Sequence, residues 1–249
     1  MSSVKQGHQG PHSWLVDADV IPDLSPQHFD IGFWQSAGLV TGHSRGRGTT
    51  YFIRHNNVPL VFRHYHRGGL VGKLLSDQYL YTGLDSCRSF QEFRLLSWMY
   101  ATGLPVPRPV AAHVQRSGLI YRADLLLEQI ERARDLHQLL CVAALAKDLW
   151  QKVGRTIAQM HLAQVYHHDL NIHNLILDGQ RKIWLIDFDR CQRRLGRHWQ
   201  PNNLARLKRS LEKEAARMHQ YHYQPEDFNY LLDGYHQQLN ENKHDDATN

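Results

Sequence analysis

The chain is short of cysteine: Cys87, Cys141 and Cys191 lie far apart in 249 residues, with no C-x-x-C pair. That argues against a disulfide framework and a zinc knuckle, and it suits a reducing compartment. No stretch approaches the ~18 uninterrupted apolar residues that a membrane-spanning helix needs. Met1 to Ser13 is polar and lacks the apolar centre of a secretory signal, so export is not expected. No internal repeat is visible. Negative charge is also in deficit: Asp plus Glu number 24 against 29 Lys plus Arg, leaving +5, and 18 histidines stand beside them. This balance points to an anionic partner: nucleotide phosphates, nucleic acid or an acidic membrane surface. What is present excludes disorder, because 42% hydrophobic and 10% aromatic residues can fill a core.

The length fits one large domain or two small lobes folded as a unit. Residues 1–30 mix Gly, Pro, His and Asp and read as an extended N-terminal arm with a short apolar patch at Trp14 to Val16. Leu39-Val40, a glycine-rich stretch from Gly42 to Gly48, and Tyr51 to Ile53 read as a β-hairpin with a permissive tip. Asn56-Asn57 makes a second turn before a strand over Leu60 to Tyr65, and a long link runs from 67 to 87. Phe90, Phe93, Leu96 and Met99 recur at helical spacing, with Ser89 as N-cap and Gly103 as stop. Pro105, Pro107 and Pro109 then enforce extended chain. Ser117-Gly118 divides two further strand-like runs, the second at Leu125 to Leu127. After Glu128 the pattern turns helical, at 135–140, around Leu149 to His161, and over roughly Asn203 to Leu239. Asp178-Gly179 marks one hairpin between Leu175 to Leu177 and Ile183 to Ile186. Residues 240–249 read as a frayed polar tail. The expected fold class is α+β: a small strand-rich lobe over 31–130, a helical lobe over 131–239, and a cleft between them.

The chemistry concentrates in Val165 to Asp178 and Ile183 to Arg190. Asp169 sits in a polar loop after a helix, Asn174 follows five residues on, and Asp187 leaves a buried strand thirteen residues later. Two carboxylates and an amide at these spacings, joined by one hairpin, can converge on a point. Phosphoryl transfer uses that set: one carboxylate to orient a hydroxyl and accept its proton, an amide and a carboxylate for magnesium.

These residues resemble the protein-kinase-like phosphotransferases. His167-His168-Asp169 stands where that superfamily carries H-R-D or H-G-D, and Asp187-Phe188-Asp189 stands in the place of D-F-G. The resemblance implies a bilobal fold, ATP and Mg2+ as cofactors, Asp169 as catalytic residue, and Asn174 and Asp187 as metal ligands. It places Arg63 where a lysine normally holds the nucleotide phosphates, with Glu92 as its partner. That arginine is a departure, since a planar guanidinium does not reproduce the geometry of an ammonium. Gly46 and Gly48 take the place of the phosphate-covering loop, in a spacing that departs from G-x-G-x-x-G, with Arg45 and Arg47 adding charge. Glu128 and Ile130 flank the interlobe hinge, where backbone groups would meet the adenine edge. His64-x-His66 and the trio His167, His168 and His173 invite a zinc reading. The resemblance favours another role, the first loop histidine buttressing the aspartate, and no cysteine joins them at ligand spacing.

Finer motifs narrow the resemblance. FRHYHRGGLVGKL from Phe62 to Leu74 is similar to the R-H-Y-x-R-G-G-L motif of bacterial lipopolysaccharide kinases. The run from Ser89 to Leu96, Gly103 to Pro109, and Tyr166 to Asn171 extend the likeness to the 3-deoxy-D-manno-octulosonic acid (Kdo) kinases of Gram-negative bacteria, over roughly residues 30–235. This implies ATP-dependent phosphorylation of the 4-hydroxyl of Kdo on a lipid A precursor, at the cytoplasmic side of the inner membrane, by a peripheral protein. Arg190, Arg193, Arg194 and Arg197, with Arg206, Lys208, Arg209, Lys213 and Arg217 on the following helix, would meet acidic lipid and acceptor phosphates. Nothing resembles the A-P-E of kinases that act on proteins. The alternatives are a heptose kinase of the same pathway, a kinase of the aminoglycoside or choline type, and a pseudokinase or basic nucleic-acid-binding protein. Aromatic-basic alternation suited to nucleic acid is missing, so no nucleic-acid partner is expected.

Overall fold

The structure, a computed structural model, describes residues 3–45, 49–66 and 77–247, with side chains except at 45 and 243–247. Gly46, Arg47, Gly48 and the first part of the long link therefore lie outside the described residues. The chain forms two compact units: Met1–Thr102 with Pro107–Gln129, and Gly103–Val106 with Ile130–Asn249.

Unit 1 is built on one antiparallel sheet. Its strands are β1 (Val4–Gln9), β2 (His12–Asp17), β3 (Val40–Arg45), β4 (Thr49–His55), β5 (Val58–His64), β6 (Tyr79–Leu80), β7 (Pro109–Ser117) and β8 (Ile120–Glu128). The order is β1-β2-β7-β8-β5-β4-β3, and β6 also pairs with β8. The β4–β5 turn uses Asn56 and Asn57 at φ +48° and +65°, which asparagine tolerates better than most residues. Apolar side chains lie on both faces. Leu60, Phe62, Val110 and Leu126 join Val20, Ile21, Leu24, Phe29 and Trp34 in one buried cluster. Trp34 belongs to α1 (Ile31–Ser36), and α2 (Arg88–Ala101) packs against β7 and β8. Burial on both faces explains why β8 is a nearly continuous apolar run from Ala123 to Leu127 instead of an alternation.

Two readings of the sequence are corrected in this unit. Residues 1–30 are not an extended arm, because β1 and β2 form a hairpin whose second strand pairs with β7 from His12↔Gln115 to Val16↔Ala111. β1 is an edge strand with nearly every side chain exposed, so its composition is that of a solvated segment. Gly7 is required there: a Cβ would lie 2.3 Å from the Trp14 ring. Ser89 is not the cap of α2; Cys87 takes that position, and the buried Ser89 hydroxyl donates to the His113 carbonyl at 2.8 Å. Gly103 does follow the end of the helix, at φ +81°.

Unit 2 contains β9 (Arg134–Asp135), α3 (Leu136–Leu140), α4 (Lys147–Leu162), β10 (Val165–Tyr166), a 3-10 turn at Ile172–Asn174, β11 (Leu175–Leu177), β12 (Ile183–Leu185), β13 (Gln192–Arg193), α5 (Gln200–Arg217) and α6 (Pro225–Ala247). Asp178 serves the β11–β12 hairpin, accepting the amides of Gln180 and Lys182 on Oδ1 and the Trp184 indole on Oδ2. The helical stretch read near the C-terminus is two helices, with an extended Met218 closing α5 and Pro225 opening α6. The frayed tail is also corrected: α6 continues to Ala247, because a helix already docked through its earlier turns tolerates polar ones beyond them.

That docking depends on two glycines. A Cβ on Gly154 of α4 would sit 1.9 Å from the Leu231 carbonyl oxygen, and one on Gly234 of α6 would sit 2.1 Å from that of Gln151. The helices therefore touch backbone to backbone. A mid-helix glycine costs about 1 kcal/mol against alanine, and the close approach offsets it. Gly154→Ala should consequently destabilise despite its better helix propensity, by about 1–3 kcal/mol or more in urea unfolding, the usual cost of overpacking. An unchanged or higher midpoint would show that α4 and α6 separate without penalty.

Candidate active site

The loop after α4 is held at alternate backbone positions. Tyr166 pairs with Gln192 across β10 and β13, Arg194 donates its amide to the Gln164 carbonyl at 2.7 Å, and the His168 amide points at Cys191 Sγ at 3.2 Å. Within this frame His167 is fully buried. The Asp169 N–H donates to His167 Nδ1 at 3.2 Å, so Nδ1 carries no proton, and Nε2–H donates to the Ile186 carbonyl at 3.0 Å. Ile186 N–H donates to the Asn174 carbonyl at 3.1 Å, and Asn174 Nδ2 donates to the Asp169 carbonyl at 2.9 Å. Four hydrogen bonds thus close a circuit through Asp169, His167, Ile186 and Asn174. Burial lowers the His167 pKa, which keeps the ring neutral and this tautomer populated.

Asp187 follows Ile186 directly. Its φ is +63°, a left-handed conformation uncommon for a residue other than glycine and costing on the order of 1 kcal/mol. The strain is held from both sides: Ile186 is bonded into the circuit, and Phe188 is buried with its ring 4.9 Å from that of His167. The structure therefore brings Asp169, Asn174 and the backbone that presents Asp187 together.

Arg206, on α5, places Nε 3.1 Å from Asp169 Oδ1, and its Nη2 contacts the same oxygen. Burial works to raise the Asp169 pKa, but hydrogen bonding and charge from Arg206 outweigh it and hold the carboxyl below its ordinary range. The sequence reading put Arg206 among basic residues facing acidic lipid. A separation of 37 residues carries no local signal of this pairing.

A buried polar chain supports the loop from behind. Asn203 Nδ2 donates to the His167 carbonyl at 2.7 Å, which turns Asn203 Oδ1 towards His161 Nε2 at 3.1 Å. His161 Nδ1 then accepts from the Tyr235 hydroxyl at 2.8 Å, linking α4, α5 and α6. None of these three residues was singled out in the sequence as part of the site.

In unit 1, Arg63 Nη2 lies 3.2 Å from Oε2 of the buried Glu92, and the Tyr65 hydroxyl donates to the same oxygen. Burial and the Glu92 charge raise the Tyr65 pKa well above normal, so it stays a neutral donor. The expected Arg63–Glu92 pair is present. Glu128 ends β8 with its amide bonded to the Arg108 carbonyl at 2.9 Å, while half-buried Ile130 begins the main segment of unit 2. Gly46 and Gly48 fall outside the described residues. Two of the sequence-based zinc candidates find other partners: His64 Nδ1 bonds Asp124 at 2.6 Å, and both His167 nitrogens are committed within the circuit, whereas His173 Nε2 lies 3.7 Å from Glu214 Oε1.

The lipopolysaccharide kinase (Kdo/WaaP) family matches residues 32–235. The chain belongs to that family. It is 48% identical to a 3-deoxy-D-manno-octulosonic acid kinase of Vibrio cholerae serotype O1 over 204 residues, covering 82% of this chain and 86% of the relative. It is 46% identical to a protein of that name from Photobacterium profundum over 219 residues, 88% of this chain and 92% of the relative. A third, from Vibrio vulnificus, is 46% identical over 235 residues, 94% and 99% of the two chains. The kinase resemblance and the α+β fold class are therefore borne out. Family membership makes the chain a phosphotransferase.

Two predictions follow from these groups. His161 is buried, and its pKa is pushed down to about 4, chiefly by desolvation. Its unfolded value is near 6.5, so unfolding takes up a proton between these limits. The contribution is complete above pH 6.5 and is lost as pH falls towards 4, about 3 kcal/mol in total. Urea unfolding should show the wild type losing roughly 2 kcal/mol from this residue between pH 7 and pH 5. His161→Gln should flatten that slope, and an equal slope in the variant would refute the assignment. Second, Arg206→Ala should let the Asp169 pKa rise, moving the acidic limb of the kcat/KM–pH profile to higher pH. An unmoved limb would show that Arg206 does not set the ionisation of Asp169.

Proposed function

We propose that this chain transfers the γ-phosphoryl group of ATP to the 4-hydroxyl of Kdo attached to a lipid A precursor, in lipopolysaccharide inner-core synthesis. The observation that carries the proposal is the hydrogen-bonded circuit that fixes Asp169 and Asn174 beside the strained Asp187. Asp169 orients the sugar hydroxyl and receives its proton, and Arg206 keeps that carboxylate ionised for the purpose. Arg63, braced by Glu92, meets the nucleotide phosphates. Gly46 and Gly48 serve as the phosphate cover, and backbone groups around Glu128 and Ile130 receive adenine, roles that rest on family resemblance.

The residues present fit Mg2+. Asn174 Nδ2 is spent on the Asp169 carbonyl, so Oδ1 is the amide's remaining donor atom. With the Asp187 carboxylate it makes a hard-oxygen pair suited to Mg2+. When bound, the ion would neutralise charge on the transferring phosphates.

The acceptor, a lipid, calls for a surface at the membrane, and we place the protein peripherally on the cytoplasmic face of the inner membrane. Arg190, Arg193, Arg194 and Arg197 are all exposed, and among them Leu195 is 80% exposed, an apolar side chain set within a basic segment. Among the described residues, no helix is long and apolar enough to cross a membrane. Each basic residue near an acidic leaflet contributes about 1 kcal/mol, screened over roughly 8 Å at physiological salt. Arg206 and Arg217 are drawn away from this role by Asp169 and Glu214.

The test offers purified protein labelled ATP and Mg2+ with three acceptors: Kdo-lipid A precursor, the unglycosylated precursor and a heptosylated core. Label on the Kdo-bearing precursor is expected, without need for heptose. Asp169→Asn should lower kcat about 10²- to 10⁴-fold, the range of a positioned base, with little change in ATP affinity. Transfer that requires heptose would make the acceptor a heptose, and transfer to an aminoglycoside or choline but to no lipid would reject the proposal.

A further inference from the structure

A second cluster lies in unit 2, made from three separate segments. His137 sits on α3, His173 in the turn Ile172–Asn174, and Glu214 on α5. One ligating atom from each lies within 4.8 Å of the other two. His173 Nε2 is 3.7 Å from Glu214 Oε1, and the rings of His137 and His173 are 4.3 Å apart at 42°. Glu214 is 5% exposed, a carboxylate buried in its helix face. His137 Nδ1 is shielded from solvent and has no hydrogen-bond partner among the described residues. An orphaned buried nitrogen beside a buried carboxylate is costly without an occupant.

The geometry points to a site for one zinc-type dication, held by His137, His173 and Glu214, apart from the site of phosphoryl transfer. Two imidazoles and one carboxylate select a first-row transition ion over Mg2+, which prefers oxygen donors. Metal–ligand bonds of about 2.0–2.2 Å set tetrahedral donors roughly 3.3 Å apart, so this cluster must contract by about an ångström. The His173 side chain, 44% exposed, has room to make that adjustment. Two ligands have neighbours at their other ends: Glu214 Oε2 lies within ion-pair distance of Arg217 Nη2, 3.1 Å, and His137 Nε2 lies 3.7 Å from Cys141 Sγ. Such outer contacts are what orient metal ligands. Water completes the fourth position. The ion would tie α3 and α5 to the turn that carries Asn174, bracing that end of the catalytic loop.

Metal-stripped full-length protein, titrated with Zn2+ alone against a chromophoric chelator, tests the site. One tight equivalent per chain is expected, with a higher melting midpoint, tetrahedral visible bands when Co2+ is used instead, and no displacement by excess Mg2+. Loss of an outer-shell contact weakens such sites about 10- to 100-fold, so loss of a ligand should exceed roughly 100-fold. His137→Ala and Glu214→Gln should each show that loss and the loss of the Co2+ bands, whereas His198→Ala, at an exposed histidine, should keep both. Far-UV circular dichroism and a cooperative melt without metal establish that each variant folds, and either one suffices. No tight equivalent in the wild type, or one that survives in a folded His137→Ala or Glu214→Gln, overturns the proposal.

Discussion

A single neutral imidazole organises the catalytic half of this protein. His167 has two ring nitrogens, and each faces a backbone partner of the opposite kind: an amide donor at Asp169 and a carbonyl acceptor at Ile186. Only an uncharged ring can serve both at once. Protonation would set two N–H groups against one donor and one acceptor and break the circuit that positions Asp169 and Asn174. Full burial makes protonation unfavourable, so the environment that hides the ring also preserves its hydrogen-bond pattern. The strained backbone at Asp187 persists because its neighbours on both sides are fixed by this ring, one through a hydrogen bond and the other through packing.

Unit 1 applies a different kind of constraint. Arg63 and Glu92 come from a strand and a helix, and Glu92 is buried where an unpaired charge would be expensive. Tyr65 shares the carboxylate, so Glu92 is restrained by a neutral donor as well as by a cation. A guanidinium held on one side by this carboxylate, and lying over the Tyr65 ring at 5.2 Å, has far less freedom than a solvated arginine. Departure from lysine at this position therefore comes with its own local support.

The parts of the site that could be read from the sequence are those whose determinants are local. Asp169, Asn174 and Asp187 lie on one loop and one hairpin, and their spacing encodes their convergence. The Arg63–Glu92 pair is legible only through the family resemblance, since strand and helix patterns mark buried faces and not which two residues meet. Arg206, Asn203 and Tyr235 could not be found this way, since a helix's periodic pattern marks its buried side and not the group met there, the loop for the first two and His161 behind it for Tyr235. The N-terminal strands were obscured for a related reason. An edge strand needs no apolar alternation when its partner supplies the pairing, so β1 has the composition of a linker. The helical end of α6 was misread because composition reports the local preference to fray and not the docking of the turns before it.

The contact between Gly154 and Gly234 bears on the order in which the protein becomes competent. Gly234 is followed by Tyr235, so the residue that admits α6 to the α4 backbone adjoins the one that completes the hydrogen bonds of His161. Both belong to α6. While α6 is undocked His161 lacks its tyrosine partner, so the wall behind the catalytic loop is complete only when the two glycines meet.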